Sequence, residues 1–225
     1  MDPVWCPSPN FGPRRAGARP DMVVIHYTAM QSAEAALDRL CDPAAGVSAH
    51  FMVCECGRVW QMVEEEARAW HAGAGRWGAV RDVNSRSVGI ELANRGDHPF
   101  GEAQIAALEG LMRGIMDRWS IPPERVIGHS DIAPGRKSDP GRRFDWRRLA
   151  LQGLGVWPGR AVPGDFARDA ARFGYPVGDV AEDVILAAFR QRFRPWGRGP
   201  LCDADRAAMA DLAARFPVDR GVPNA

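Results

Sequence analysis

Met22-Val23-Val24-Ile25-His26-Tyr27-Thr28 is a short run of apolar residues that ends in a histidine, a tyrosine and a threonine. Four consecutive apolar residues without polar alternation are typical of a central strand that is covered on both faces. Behind this run, Ser32 to Cys41 has apolar residues at helical spacing, and Ser32 is suited to the N-cap position. A doubly covered strand that is followed by a helix indicates an α/β domain.

The rest of the first 158 residues continues this alternation of strands and helices. Apolar runs predict four further strands at Ala49 to Cys54, Arg58 to Val63, Ser87 to Ala93 and Arg125 to His129. The strongest helical pattern covers Gly101 to Ser120 and ends before Pro122-Pro123. We therefore predict an α/β fold with a mixed central β-sheet flanked by helices.

The composition changes near Val156-Trp157-Pro158-Gly159, which reads as a linker. Three helical patterns follow, and Asp203 is the expected N-cap of the third. The sequence thus predicts a first, α/β domain at 1–158 and a small C-terminal three-helix domain at 159–225. A module of about 60 residues is near the lower limit for independent folding, so it is expected to pack on the first domain.

Composition excludes several classes of function. The 225 residues include 29 basic and 28 acidic side chains, which leaves no electrostatic case for binding nucleic acid. No run approaches the ~20 apolar residues of a transmembrane segment. Met1 to Pro20 contains no signal-like apolar run, which predicts a cytoplasmic location, with the periplasm or cell envelope as the alternative. The sequence makes no prediction about the oligomeric state.

The segment Gly128-His129-Ser130-Asp131-Ile132-Ala133-Pro134-Gly135-Arg136-Lys137-Ser138-Asp139-Pro140-Gly141 concentrates reactive side chains. Together with His26 it offers two imidazoles and one carboxylate. Such a set can hold a zinc ion and leave the fourth coordination position open for water, as catalytic zinc sites do.

Five segments together resemble the type 2 N-acetylmuramoyl-L-alanine amidase family. They are VVIHYTA (23–29), VSAHFMV (47–53), RAWHAG (68–73), SVGIELAN (87–94) and GHSDIAPGRKSDPG (128–141). The resemblance covers about residues 4 to 158. It implies the fold shared with peptidoglycan recognition proteins, and zinc-dependent cleavage of the amide between N-acetylmuramic acid and the L-alanine of the stem peptide. Its expected partners are peptidoglycan or muropeptide fragments.

Carried over residue by residue, the resemblance puts the Zn²⁺ ligands at His26, His129 and Asp139. It makes Glu91 the group that orients or deprotonates water, and Lys137 the group that stabilises the oxyanion. Each residue also has a structural interpretation. Asp139 can cap a turn, Glu91 can belong to a buried ion pair, and Lys137 can be a solvated loop residue.

Candidate substrate-binding residues are less specific. His71 is as well explained by a structural role as by one in the cleft, and Trp70 and Trp77 are suited to packing on a glycan or peptide. Asn94 is a candidate hydrogen-bond partner of substrate, although asparagine at a strand end more often forms a turn. For His50 we favour a strand histidine that donates to a backbone carbonyl.

Two other functions stay open. One is a recognition module that binds peptidoglycan without hydrolysis, and the other is a lytic, phage-type amidase acting on intact walls rather than on small fragments in recycling. The C-terminal segment, with FRQRFRP (189–195), resembles more weakly a small peptidoglycan-binding domain. The alternative for these helices is a cap that only stabilises the catalytic domain.

Overall fold

The computed structural model describes residues 2–219. The strands are β1 (Val4–Trp5), β2 (Phe11–Pro13), β3 (Met22–Tyr27), β4 (Phe51–Val53), β5 (Val59–Gln61), β6 (Ala67–Ala69), β7 (Ser87–Leu92) and β8 (Val126–Gly128). The α-helices are α1 (Ala33–Cys41), α2 (Val83–Arg86), α3 (Glu102–Trp119), α4 (His129–Ile132), α5 (Trp146–Leu151), α6 (Phe166–Phe173), α7 (Glu182–Phe193) and α8 (Asp203–Arg215). Within residues 2–219, no helix combines the length and apolar character needed to cross a bilayer.

The central sheet has six strands in the order β1-β5-β4-β7-β3-β8. Strands β4, β7, β3 and β8 run parallel, whereas β5 is antiparallel to β4, so the sheet is mixed as predicted. Because β3 lies between β7 and β8 and runs parallel to both, the carboxyl ends of all three strands meet at one edge. In open α/β sheets this edge is where ligand sites are usually built.

The two faces of β3 explain its continuous apolar run. Val23 and Ile25 pack against the buried stripe of α3. Met22 and Val24 point to the other face, where they join a core that includes Phe166, Phe189 and other residues of the three C-terminal helices. His26 continues the face of Met22 and Val24, at the end where the sheet meets the cleft.

Helix α1 covers a different part of this second face. Its buried residues Ala33, Ala36 and Leu40 pack with Met52 of β4. The C-terminal helices cover β3 and the neighbouring β8, because they share a core with Val24 and Ile127. The side chains at the carboxyl ends of β3 and β7 therefore lie between α1 on one side and the C-terminal helices on the other.

Most predicted elements occur, with strand ends one or two residues shorter than expected. Two details differ. Cys202, not Asp203, is the N-cap of α8. The reason is that Asp205 accepts a hydrogen bond from the backbone N–H of Cys202, so the capping position lies one residue earlier than the acidic run suggests. His129 begins α4 directly after β8 instead of ending the strand.

A buried ion pair connects the C-terminal helices to the first 158 residues. Arg192 of α7 donates to Asp131 of α4 at 2.7 Å and to the carbonyl oxygen of Val126 at 2.7 Å. The same carboxylate accepts from Tyr175 Oη at 2.7 Å and from the backbone N–H of Gly128 at 2.9 Å. Asp131 thus connects α7 directly to the turn that begins at His129.

We predict that Arg192→Met lowers the free energy of unfolding by about 3–5 kcal/mol, because the substitution leaves the Asp131 carboxylate buried without its counter-charge. Urea denaturation followed by circular dichroism measures the change. Arg172→Met, which removes an exposed arginine from α6, is the matched control and is expected to shift stability by less than about 0.5 kcal/mol. Equal midpoints for Arg192→Met and the wild type would contradict a stabilising role of this contact.

Candidate active site

A cleft of about 380 Å³ opens at the carboxyl ends of β3 and β7. Its floor consists of the candidate metal ligands together with Glu91 and His71. One wall comes from α1 and the residues that follow it, and the other from the loop at 136–138. All five residues that the sequence assigned to metal binding and catalysis therefore lie in one cavity.

Three potential ligand atoms converge at the floor of the cleft. His26 Nδ1 lies 2.8 Å from Asp139 Oδ2 and 3.0 Å from His129 Nδ1. The third side of this triangle, between His129 Nδ1 and Asp139 Oδ2, is 3.0 Å. All three residues are buried, and within residues 2–219 they are the only group of at least three histidine, cysteine or acidic side chains that meets the geometry of a metal site.

A line of hydrogen bonds fixes the tautomer of His26. Ser87 Oγ donates to the carbonyl oxygen of Val83 at 2.6 Å, so its free lone pair accepts from His71 Nε2 at 3.2 Å. His71 Nδ1 is then unprotonated and accepts from His26 Nε2 at 3.0 Å. Consequently His26 Nδ1 presents a lone pair to the cleft.

The second histidine is oriented in the same way. His129 Nε2 donates to the carbonyl oxygen of Ala72 at 3.0 Å, which leaves Nδ1 as the acceptor. Burial, with a further contribution from His129, lowers the pKa of His26 to about 4, so its imidazole is neutral at pH 7. The Nδ1 atoms of His26 and His129 and a carboxylate oxygen of Asp139 thus face one another at the cleft floor. A bound cation satisfies such an arrangement.

Glu91 lies on β7 beside His26, its register partner on β3. Its Oε2 atom is buried and has no hydrogen-bond partner within the described residues. Burial and the nearby charge of Asp139 raise the pKa of the Glu91 carboxyl to about 8, against a smaller opposing effect of Lys137. The interpretation as a buried ion pair has no support here, since no arginine or lysine nitrogen of residues 2–219 lies within 4.0 Å of this carboxylate.

The backbone of the 72–74 segment and the loop at 136–138 meet at the rim. Arg136 donates to the carbonyl oxygens of Ala72 and Ala74. Lys137 is exposed and lines the cleft next to Asp139. An ammonium group in this position has the charge needed to stabilise an oxyanion above the cleft floor.

The remaining candidate residues occupy different surroundings. Trp70 is half-buried and lines the cleft, and His71 at the cleft floor orients His26 by accepting its hydrogen bond. Asn94 Oδ1 accepts from the backbone N–H of Gly96 at 2.7 Å, so its side chain builds the turn after β7 and does not line the cleft. Trp77 is only 1% exposed and packs on Phe173, so the sequence-based suggestion that it packs on a glycan is wrong.

Comparison with known proteins identifies the family. Residues 16–142 match the model of the family described as N-acetylmuramoyl-L-alanine amidase. The chain is 39% identical over 228 aligned positions to N-acetylmuramoyl-L-alanine amidase AmiD of Escherichia coli K12, covering 84% of this chain and 80% of AmiD. It is 32% identical to 1,6-anhydro-N-acetylmuramyl-L-alanine amidase AmpD of the same organism, covering 64% of this chain and 88% of AmpD.

The chain belongs to the N-acetylmuramoyl-L-alanine amidase family.

Solved structures of amidases agree with the observed fold. A complex of E. coli AmiD with anhydro-N-acetylmuramic acid-L-Ala-D-gamma-Glu-L-Lys has a TM-score of 0.79 at 35% identity, covering 89% of this chain and 92% of that one. AmpDh3 from Pseudomonas aeruginosa in complex with anhydromuramic pentapeptide has a TM-score of 0.80 at 29% identity, covering 91% and 95%. The protein is therefore a hydrolase of the amidase type, and its sequence-predicted fold class is confirmed.

Sequence reasoning missed the part that Ser87 plays in this amidase. The serine lies at the start of β7 and acts through His71, a relation that depends on packing between distant segments. The glycine at position 89, inside an apolar strand, was the one local sign of a side chain packed closely on β7. A Cβ atom at this position would lie 2.5 Å from the His71 ring, so only glycine allows the imidazole to approach the strand.

His50 lies immediately before β4 and supports the site beside Gly89 of β7, with its ring centroid 5.8 Å from that of His71. Its Nδ1 accepts from the backbone N–H of Gly89 at 2.9 Å, and its Nε2 lies 3.2 Å from the carbonyl oxygen of Ala67, as favoured from the sequence. Burial, together with the charge of Arg14, lowers the pKa of His50 to about 3. The native state therefore keeps this imidazole neutral, because a proton on Nδ1 would oppose the N–H of Gly89.

We predict that His50 makes folding sensitive to acid. An unfolded histidine takes up a proton near pH 6.5, whereas native His50 does so only near pH 3, so the unfolded state binds more protons in between and stability falls as the pH falls. In chelator-treated protein, His50→Asn is expected to reduce the slope of unfolding free energy against pH, between about pH 5.5 and about pH 4, by up to about 1.4 kcal/mol per pH unit.

Chemical denaturation at a series of pH values measures this slope. His98→Asn, which replaces a more exposed imidazole in a polar loop, is the matched control. A slope that is the same in His50→Asn and in the wild type would show that His50 is not the source of the acid sensitivity.

Proposed function

We propose that this protein is a zinc-dependent N-acetylmuramoyl-L-alanine amidase whose metal is held by His26, His129 and Asp139. The observation that carries the proposal is the convergence of two unprotonated imidazole nitrogens and one carboxylate oxygen. Without a cation, three acceptors at 2.8–3.0 Å repel one another, and burial strengthens that repulsion.

The donor set suits zinc. Nitrogen and carboxylate ligands lie about 2.0–2.2 Å from zinc, which separates tetrahedral neighbours by roughly 3.3 Å. The observed separations of 2.8–3.0 Å need to expand by only a few tenths of an ångström. Three protein ligands leave one coordination position open, which is typical of a catalytic site. When bound there, zinc lowers the pKa of water and polarises the amide carbonyl.

Glu91 is proposed as the proton carrier. During hydrolysis the attacking water loses a proton as the carbon–oxygen bond forms, and the departing amine of L-alanine gains one as the carbon–nitrogen bond breaks. A carboxylate with an unpartnered oxygen at the cleft floor can perform both transfers. Its raised pKa of about 8 favours donation to the amine, whereas a neighbouring dication favours the ionised form that accepts the proton from water.

Lys137 is proposed to stabilise the oxyanion. The tetrahedral intermediate carries its negative charge on the former carbonyl oxygen, and a cationic group at the wall of the cleft lowers the energy of that state more than that of the neutral amide. Because Lys137 is exposed at the wall of the cleft, its ammonium group can turn toward substrate.

We propose anhydro-muropeptide fragments as the preferred substrate. The support is the similarity to AmiD and AmpDh3, whose structures contain anhydromuramyl peptides, and to AmpD, whose name specifies the 1,6-anhydro sugar. A fragment-processing amidase fits a role in cell-wall recycling. The sequence-based cytoplasmic location remains part of this proposal, with the periplasm or envelope as the alternative.

The C-terminal helices are proposed to form the second unit at 159–225 and to contact peptidoglycan. A solved AmpD structure covers 69% of this chain and 96% of its own length, about the share that the proposed catalytic unit occupies, whereas AmiD covers 89%. This difference supports a division of the chain near the linker. The exposed Trp196, which is 63% accessible, offers an aromatic surface for a glycan.

The test of the proposed function measures release of stem peptide from anhydro-muropeptides and, in parallel, from intact sacculi. We expect cleavage of the lactyl–alanine amide, loss of activity after chelation, recovery with added zinc, and at least a thousandfold lower kcat/KM in His129→Ala, because loss of a ligand disrupts the metal centre. Turnover is expected to be higher on the fragments than on sacculi.

Retention of full activity by chelated protein or by His129→Ala would contradict the zinc mechanism. Binding to sacculi without any product would favour a non-catalytic recognition module. Faster turnover on intact sacculi would favour the lytic alternative.

We predict that Lys137→Met lowers kcat by about a hundredfold to a thousandfold with little change in KM, because the ammonium charge acts mainly on the transition state. Steady-state kinetics on a soluble muropeptide separates the two constants. Lys137→Arg, which keeps the charge, is expected to recover part of kcat. If Lys137 were only a solvated loop residue, kcat of both variants would equal the wild-type value, and that result would contradict the proposed role.

A further inference from the structure

Arg39 is a cation that lines the cleft. It belongs neither to the metal centre nor to the proposed oxyanion site. It lies in the last turn of α1, it is exposed, and it lines the same cavity as the metal ligands. Its guanidinium has no hydrogen-bond or ion-pair partner within residues 2–219. A positive charge in this position is free to bind an anionic group of a ligand.

The outer part of the cleft carries only positive charge. Its cations are Arg39, Arg136 and Lys137, whereas both carboxylates of the cavity, Glu91 and Asp139, lie at the floor beside the metal triangle. The guanidinium of Arg136 already donates hydrogen bonds to the backbone carbonyl oxygens of Ala72 and Ala74. Of the three cations, Arg39 is therefore the one without an assigned partner.

The backbone that carries Arg39 is firmly held. The neighbouring Leu40 is buried, and its carbonyl oxygen accepts from Ser8 Oγ at 2.5 Å. Asn10 donates to the carbonyl oxygens of Asp42 and Val47 at 2.8 and 2.9 Å, so the N-terminal arm fixes both the end of α1 and the segment that follows it. A fixed backbone reduces the entropy lost when the guanidinium binds a ligand.

The chemistry of a muropeptide indicates which group Arg39 binds. In an anhydro-N-acetylmuramyl peptide the lactyl carboxyl group is consumed in the scissile amide, so the sugar carries no anion. A D-glutamate joined through its γ-carboxyl, as in the ligand of AmiD, keeps a free α-carboxylate one residue beyond the L-alanine. A planar guanidinium is matched to a carboxylate by two parallel hydrogen bonds.

We propose that Arg39 is a specificity-determining residue that binds the free α-carboxylate of the γ-linked glutamate in the stem peptide. This inference rests on the proposed amidase function and deepens it by naming the group that the cleft recognises. It distinguishes stem peptides with a free carboxylate from those in which the same carbon carries a carboxamide.

Two substrates test the proposal: anhydro-N-acetylmuramyl-L-Ala-D-γ-Glu-L-Lys, and the same compound with the glutamate α-carboxylate converted to a carboxamide. The wild type is expected to prefer the carboxylate by about tenfold or more in kcat/KM, since charge-assisted hydrogen bonds are the stronger kind. Arg39→Gln is expected to raise KM about tenfold for the carboxylate substrate and to leave the carboxamide substrate unchanged. The preference is also expected to fall with added salt.

Arg160→Gln, which removes an exposed arginine from the linker, is the matched control and should retain the wild-type preference. Circular dichroism and thermal unfolding establish that both variants are folded. An equal loss on both substrates in Arg39→Gln, or a wild type without preference, would overturn the Arg39 proposal while the amidase function stands. Failure of the wild type to cleave either compound would instead overturn the amidase proposal and this inference with it.

Discussion

The hydrogen-bond line from Val83 through Ser87 and His71 to His26 is the interaction on which the candidate site depends. The hydroxyl hydrogen of Ser87 can point in different directions, and each neutral histidine has two tautomers. Because Ser87 Oγ donates to the carbonyl oxygen of Val83, the tautomers of His71 and His26 are both fixed. The result is a lone pair on His26 Nδ1, directed at two other acceptors. If any member were reversed, His26 would present a hydrogen to the cleft, and the triangle would be an ordinary buried hydrogen-bond cluster.

This line also explains features of the sheet that look unrelated to catalysis. His71 must lie flat over β7, which requires glycine at position 89, and the N–H of the same residue is satisfied by His50 from the adjoining strand segment. Burial keeps His50 and His71 neutral by lowering the pKa of each imidazole. Neutral histidines are stable in this interior only while the surrounding core excludes water, so packing and ligand chemistry are coupled.

How much of this was predictable depends on the range of each interaction. The apolar run of β3 and the stripe of α3 are local patterns, and both elements occur where the sequence predicts them. The convergence of His26, His129 and Asp139 was inferred from motif resemblance and agrees with the observed distances. The burial of Trp77 and the relay from Ser87 to His71 depend on tertiary neighbours, whereas the hydrogen bonds of Asn94 stay within the turn after β7. No spacing in the sequence encodes the partners of Trp77 and Ser87, because Phe173 and His71 lie on other segments of the chain.

The C-terminal helices follow a linker in the sequence, yet the stability of the preceding residues depends on their packing. They bury Met22, Val24 and Ile127 of the central sheet, and they supply Arg192 and Tyr175 to the carboxylate of Asp131. Deleting them would expose this sheet face and leave the buried charge of Asp131 unpaired within α4, two residues after His129. A truncated protein would therefore lose activity through instability, whatever the helices bind. The proposed contact with peptidoglycan is therefore tested at residues such as Trp196, which is exposed and whose side chain belongs to none of the buried clusters.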